Sequence, residues 1–200
     1  MSALFEYDLE QCSRLGGLVA GMDEAGRGPL AGPVVCAAVV LPMDFEIVGI
    51  DDSKKLTPRR RSELYEEIAA RALYMEVCAV SEREIDRINI LQATRQGMQS
   101  CSQALSALSE VKCLLSDALH IQSTIPVSAI IRGDATSYSI AAASIVAKVT
   151  RDRMMERQDA LYPQYGFARH KGYGTAMHIN ALKTHGPCPI HRKSFIGKLI

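Results

Sequence analysis

The stretch LVAGMDEAGRGPLAGPVVCAAVVL, Leu18 to Leu41, decides how the chain folds. Leu18 to Met22 is a short apolar run that ends at Asp23. Pro33 to Leu41 is longer, rich in β-branched residues and uncharged. Such runs read as strands buried on both faces, and the glycine-rich turn between them predicts that they pair as neighbours. Working outward, Thr57-Pro58 is a helix start, a capping residue followed by proline at the first helical position. The helix runs to about Ala72, with Leu64, Ile68 and Ala72 on one face. Tyr74 to Val80 is a third strand.

Ser81-x-x-Glu84 is a capping box for a short helix. Asn89 caps a longer one, whose stripe is Thr94, Met98, Cys101, Leu105 and Leu108. Val111 to Ser116 is a fourth strand ending at Asp117, and Ser128 to Arg132 a fifth ending near Asp134. A long helix follows, about Ser139 to Asp159. Its first half, SIAAASIVA, is apolar on all sides, as in a helix packed deep in the protein. A last helix, Thr175 to His185, is stopped by Gly186. This order predicts an α/β domain with a mixed sheet and a smaller helical appendage.

The 200 residues are 48% hydrophobic and 22% charged, which excludes a disordered or fibrous chain. The formal net charge of +1 hides an asymmetry. From Lys148 onward there are ten Lys/Arg and three acids, a charge of +7, so the preceding residues carry −6. A basic segment of this kind fits a polyanion such as nucleic acid, or a solvated face whose acidic partners lie elsewhere in the fold. No run of ~18 apolar residues exists, so no membrane span is expected. The start, MSALFEYDLEQCS, has no basic-then-apolar signal pattern, and a cytoplasmic location is expected. The six cysteines form no C-x-x-C pair and no zinc spacing; they are expected to be reduced.

The chemistry lies at strand ends. Asp23-Glu24, Asp117 and Asp134 each follow a strand, and Asp152 sits on the basic helix. Acids that end neighbouring strands can converge on one sheet edge. Oxygen-only ligands suit Mg²⁺ or Mn²⁺, and two such ions can hold the attacking and leaving oxygens of a phosphodiester. Taken singly, each acid reads more readily as a loop residue or a helix cap; taken together, beside a basic C-terminal third, they read as a site. Consecutive strand residues point to opposite faces, so Asp23 and Glu24 can share a metal only if the chain bends or a backbone carbonyl substitutes. Gly26-Arg27-Gly28 is either a plain hairpin turn or a place where bare backbone approaches a sugar-phosphate.

Seven blocks carry a family resemblance: GMDEAGRGPL from Gly21, DSKKL from Asp52, Gly133-Asp134, AAASIVAKVTRDR from Ala141, PQYGF from Pro163, HKGYGT from His170 and HRKSF from His191. In this order, over about residues 18 to 195, the chain resembles the ribonuclease HII family, the type 2 ribonucleases H of bacteria. The resemblance implies a ribonuclease H-like mixed β-sheet flanked by helices, with a small helical C-terminal region. Residues 1–158 would be the catalytic domain and 159–200 a basic substrate-binding region. It implies an endonuclease that cuts the RNA strand of RNA/DNA hybrids and nicks DNA on the 5′ side of an embedded ribonucleotide. The products would carry 3′-hydroxyl and 5′-phosphate ends.

The family's acidic positions fall on Asp23, Glu24, Asp117 and Asp134, catalytic and binding Mg²⁺ or Mn²⁺, two ions with substrate present. Asp152 looks like a supporting residue. Gly26, Arg27 and Gly28 fall on the element that contacts the RNA–DNA junction, and Tyr173 on the tyrosine that packs on the ribose. That ribose carries the 2′-hydroxyl that marks RNA. Lys54, Lys148, Arg192 and Lys193 would contact phosphates; each reads otherwise as a solvated cation. The partners implied are RNA/DNA hybrid and ribonucleotide-containing DNA, with no membrane, and a monomer is expected. Two other readings differ in class: the related ribonuclease HIII, which carries an N-terminal extension, and a non-catalytic hybrid binder, which would gain nothing from acids facing phosphates. One departure stands out. The family usually follows its third acid with glycine, and here Ala118 follows Asp117, a mismatch that matters if the position needs positive φ.

Overall fold

The computed structural model describes residues 1–197 and 199. Its centre is one five-stranded sheet built from β1 (Leu18–Ala25), β2 (Val34–Val40), β3 (Tyr74–Val80), β4 (Val111–Asp117) and β5 (Val127–Ile130). The order is β3-β2-β1-β4-β5. β1, β2 and β3 pair antiparallel, whereas β1–β4 and β4–β5 are parallel. This is the mixed sheet expected, and β2 is buried at every position.

Helices cover both faces, and the period of two along β2 separates their cores. Ala37 and Val39 pack against α2 (Pro58–Arg71) and α5 (Tyr138–Leu161). Cys36, Ala38 and Val40 face the other way, toward Met98, Cys101 and Leu105 of α4 (Ile90–Leu105). The first half of α5 is buried on all sides, from Tyr138 to Ala147, which is why its sequence there shows no stripe. It lies directly on β1. A Cβ added to Gly21 would stand 1.9 Å from the Ser139 carbonyl carbon, so only glycine admits the helix this close.

The N-terminal helix α1 (Ala3–Leu15) has no counterpart in the sequence-based expectation. Its signals are local: Ser2 caps its start and Gly16, at φ 66°, its end. It contributes Phe5, edge-on to Tyr138 at 5.1 Å. It also contributes Asp8, fully buried, whose Oδ2 accepts the Ser139 N–H at 2.7 Å. A carboxylate there complements the positive end of the α5 dipole. Burial nonetheless pushes its pKa up.

After α3 (Glu82–Ile88) and α4, three short helices follow α5: α6 (Phe167–His170), α7 (Ala176–His185) and α8 (Lys193–Ile196). They pack on Ala31 and on Met155 of α5 through Phe167, Leu182 and Ile196, with Tyr165, just ahead of α6, in the same cluster. α5 itself runs unbroken past residue 158. Among the described residues, no helix is long and apolar enough to cross a membrane.

Candidate active site

The register of the sheet builds the site. β1 and β4 run parallel with Met22 opposite Ser116, which sets Asp23 level with Asp117. Beyond β5 the chain turns through a single 3-10 turn, Gly133–Ala135, that brings Asp134 to the same edge. The Gly133 N–H donates to Asp117 Oδ1 at 2.7 Å and ties the turn to β4. Carboxylate oxygens of Asp23, Asp117 and Asp134 all lie within 4.8 Å of one another.

Three like charges this close are unfavourable without cations. Burial raises the Asp23 pKa well above the usual carboxylate range, and Glu24, Asp117 and Asp134 add to the shift. Burial likewise raises Asp117, with Asp134 contributing. Lys54 partly compensates: its Nζ pairs with Asp134 Oδ2 at 2.9 Å, a bond that raises the lysine pKa. A carboxylate-only donor set of this kind fits Mg²⁺ or Mn²⁺ and not a soft metal.

Glu24 stands apart from this trio. β1 stays regular through Ala25, which pairs with Val35, so the chain does not bend at Asp23-Glu24. Asp23 shares its parity with Gly21 on the α5 side, and Glu24 shares its parity with Met22 on the α4 side. The Glu24 carboxylate instead meets Arg27 Nη1 at 3.3 Å. Its Oε2 is buried without a hydrogen-bond partner, an orphaned acceptor beside the trio that suits a cation. Burial raises the Glu24 pKa, and Arg27 offsets part of the rise.

A cleft of about 290 Å³ gathers Asp23, Glu24, Gly26, Arg27, Gly28, Lys54, Asp117 and Tyr173; Asp134 lies behind Lys54. Gly26 sits at φ 99° with Arg151 against its α-carbon, so any side chain there would collide with the guanidinium. Tyr173 is 45% exposed, a large ring left in solvent at the cleft wall. The loop carrying Lys54 is fixed from below. Ser53 Oγ meets Ser144 Oγ of α5 at 2.6 Å, and Arg61 donates to the Ser53 and Leu56 carbonyls. Asp51 and Asp52 serve this loop: Asp51 pairs with Lys55, and Asp52 accepts the Lys54 N–H. Asp152 pairs with Lys148 at 2.8 Å and holds it at the cleft.

Arg192 corrects one expectation. It is no phosphate contact, because it is fully buried. Its Nε, Nη1 and Nη2 donate to the carbonyls of Gly32, Arg27 and Gly26 at 2.9, 2.9 and 2.6 Å. Arg151, 1% exposed, does the same for Pro33, Lys171 and Ala31. Between them the two guanidiniums hold the Gly26–Pro33 segment, which supplies the Gly26-Arg27-Gly28 wall of the cleft. Sequence alone counts them as part of a basic surface; only burial distinguishes them from solvated cations. Lys193 does have an exposed side chain, while its backbone N–H and that of Ser194 are anchored on Asp86.

Ala118, the departure from the glycine that the resemblance implies, sits at φ 51°. The left-handed region costs an L-residue about 1–2 kcal/mol, partly offset by the freedom glycine has when unfolded. Ala118→Gly is therefore expected to raise stability by about 0.5–1 kcal/mol, read from denaturant midpoints. An unchanged or lower midpoint would show that the turn bears no strain.

This sheet order, with carboxylates from the ends of β1 and β4 and from the turn after β5 converging at one edge, defines a ribonuclease H-like, metal-dependent nuclease. The profile of the family Ribonuclease HII matches residues 20–198. The chain belongs to the ribonuclease HII family, metal-dependent endonucleases that cleave the RNA of RNA/DNA hybrids. It is 51% identical over 195 residues to "Ribonuclease HII" of Acetivibrio thermocellus, covering 97% of this chain and 75% of that protein. Among solved structures it resembles the ribonuclease H2 of Pyrococcus horikoshii, with a TM-score of 0.74 and 27% identity over 91% of this chain and 96% of that one. It also resembles the RNase HII of Archaeoglobus fulgidus, solved in complex with PCNA, with a TM-score of 0.73, 28% identity, and coverage of 91% and 94%.

Proposed function

We propose that this protein hydrolyses the phosphodiester on the 5′ side of a ribonucleotide, in RNA/DNA hybrids and at single ribonucleotides embedded in DNA. It leaves 3′-hydroxyl and 5′-phosphate ends. The observation that carries the reading is the lining of one cleft by both sets of residues: Asp23 and Asp117 together with Gly26-Arg27-Gly28 and Tyr173. Asp23, Asp117 and Asp134, with Glu24 beside them, would hold two Mg²⁺ or Mn²⁺ ions, which supply water activation and stabilisation of the leaving 3′-oxygen. The chain's own residues orient the substrate. The bare backbone of Gly26 and Gly28 admits a sugar-phosphate closely, Arg27 faces it, and the Tyr173 ring stacks on the ribose that bears the 2′-hydroxyl. Lys54 exchanges Asp134 for a phosphate when cations enter, and Lys148 and Lys193 meet the backbone further out. Residues 159–200 act as the substrate-binding region. All these groups come from one chain, so a monomer suffices.

The test is cleavage of a duplex with one embedded ribonucleotide, with the cut mapped at nucleotide resolution. A single nick 5′ of the ribonucleotide is expected, and an uncut duplex rejects the reading. Tyr173→Ala is expected to lower cutting of that duplex by about 10- to 100-fold, the equivalent of the ~1–3 kcal/mol an aromatic contact to nucleic acid contributes. Equal rates for both proteins would remove Tyr173 from ribose recognition.

A further inference from the structure

Three buried histidines lie behind the Tyr173 loop, joined by a chain of hydrogen bonds. The Cys188 N–H can only donate, and it meets His191 Nδ1 at 2.9 Å. Cys188 Sγ lies at 3.1 Å from the same nitrogen. The Cys188 carbonyl also lies 3.2 Å from this nitrogen, but the amide N–H is the closer partner and can only donate, which assigns His191 Nδ1 as an acceptor, and a neutral His191 carries its proton on Nε2. That nitrogen lies 2.9 Å from His178 Nε2, which must accept. The His178 proton is then on Nδ1, 2.9 Å from the Tyr173 carbonyl, which can only accept. With that assignment the chain closes only if both rings are neutral. Their surroundings agree: burial and the neighbouring histidines push both below the ordinary value, His191 to about 4.

The third ring completes the frame. His170 Nδ1 accepts the Gly172 N–H at 3.2 Å, its Nε2 meets the Tyr165 carbonyl at 2.8 Å, and its ring stacks on His178 at 4.5 Å. The loop so held is a demanding one, with Lys171 at φ 51° and Gly172 at φ 85°. The far end of the chain is fixed to the segment that follows Gly28, because His191 bridges to Ala31 and the Arg192 N–H donates to the Leu30 carbonyl. The relay thus spans from the segment after Gly28 to the backbone of Tyr173.

We propose that His178 and His191 are positioning residues for ribonucleotide recognition: a neutral Cys188–His191–His178 relay fixes the Tyr173 carbonyl and so the place of its ring against the sugar. The inference rests on the reading of Tyr173 as the ribose contact.

Two measurements test it. The first uses the native protein: imidazole ¹⁵N spectra at neutral pH should show His178 protonated on Nδ1, the minor tautomer of free histidine, and His191 on Nε2. An imidazolium or the reverse tautomer at either ring overturns the relay. The second compares His178→Ala, His178→Asn, Tyr173→Ala and the double variant His178→Ala/Tyr173→Ala on the single-ribonucleotide duplex. His178→Ala should raise KM about tenfold with kcat nearly unchanged, and add nothing in the Tyr173→Ala background. His178→Asn, whose amide nitrogen can take the place of Nδ1, should recover most of the loss. Additive losses, or a fall in kcat alone, would assign His178 to folding only. An effect of Tyr173→Ala with none from His178→Ala removes this inference alone. No effect of Tyr173→Ala removes both it and the ribose reading.

Discussion

Asp117→Asn is expected to abolish cleavage while making the metal-free protein more stable, not less. The two effects come from one charge. Asp117 belongs to a trio whose oxygens lie within 4.8 Å of one another. Its removal would take away a proposed metal ligand and relieve repulsion on buried Asp23. The turn is spared, because an asparagine Oδ1 still accepts the Gly133 N–H that Asp117 accepts at 2.7 Å. Losing a metal ligand costs several kcal/mol of transition-state stabilisation, about a thousandfold or more in rate. The melting temperature without metal should rise by about 2–4 °C, the equivalent of ~1 kcal/mol for a chain of this size. Adding Mg²⁺ should stabilise the native protein more than the variant. Full activity of the variant with Mg²⁺, or a marked fall in its metal-free melting temperature, would refute this account of the site.

Arg192→Met tests the opposite kind of residue, a cation that serves structure. Truncation would leave the carbonyls of Gly26, Arg27 and Gly32 without their donors in a buried setting. Orphaning a buried polar network of this kind costs about 3–5 kcal/mol, or a melting point lower by roughly 10 °C. Arg192→Lys should recover little, since one ammonium cannot serve three carbonyls spread along a planar fork. A phosphate-contacting arginine would behave differently: stability unchanged, and a salt dependence of binding reduced by about one ion. That second pattern would restore the surface role the sequence invites for Arg192 and contradict its burial.

Why the sequence invites that error is instructive. Lys148, Arg151, Lys171 and Arg192 look alike in a basic run, yet two of them are buried among carbonyls. A guanidinium carries five donors in a rigid fork and can replace a turn's missing partners from inside. Nothing in local spacing marks which arginine does so. The N-terminal helix was hidden for a related reason. Its buried face includes Asp8, and an acid in the stripe breaks the apolar pattern that periodicity detects. Asp8 is tolerated because it meets the start of α5, a partner more than a hundred residues away.

The strands, the long helices and their caps followed from residues close in sequence, because burial on both faces, capping boxes and helical stripes are local requirements. Asp23, Asp117 and Asp134 were legible as acids at strand ends, and the blocks around Asp23 and Asp134 carried the family resemblance, whereas Ala118 after Asp117 departed from it. Which carboxylates meet was not legible. The pleat of β1 sends Asp23 and Glu24 to opposite faces, and the parallel register with β4 chooses Asp23 as the partner of Asp117. Tertiary structure alone also sorted the cations into those that hold the cleft and those that face solvent, and set the histidines in a single hydrogen-bonded order. The physical reason is the same in each case: the sequence determines what a group can do, and only the partners that the fold brings within about 3 Å decide which of those things it does.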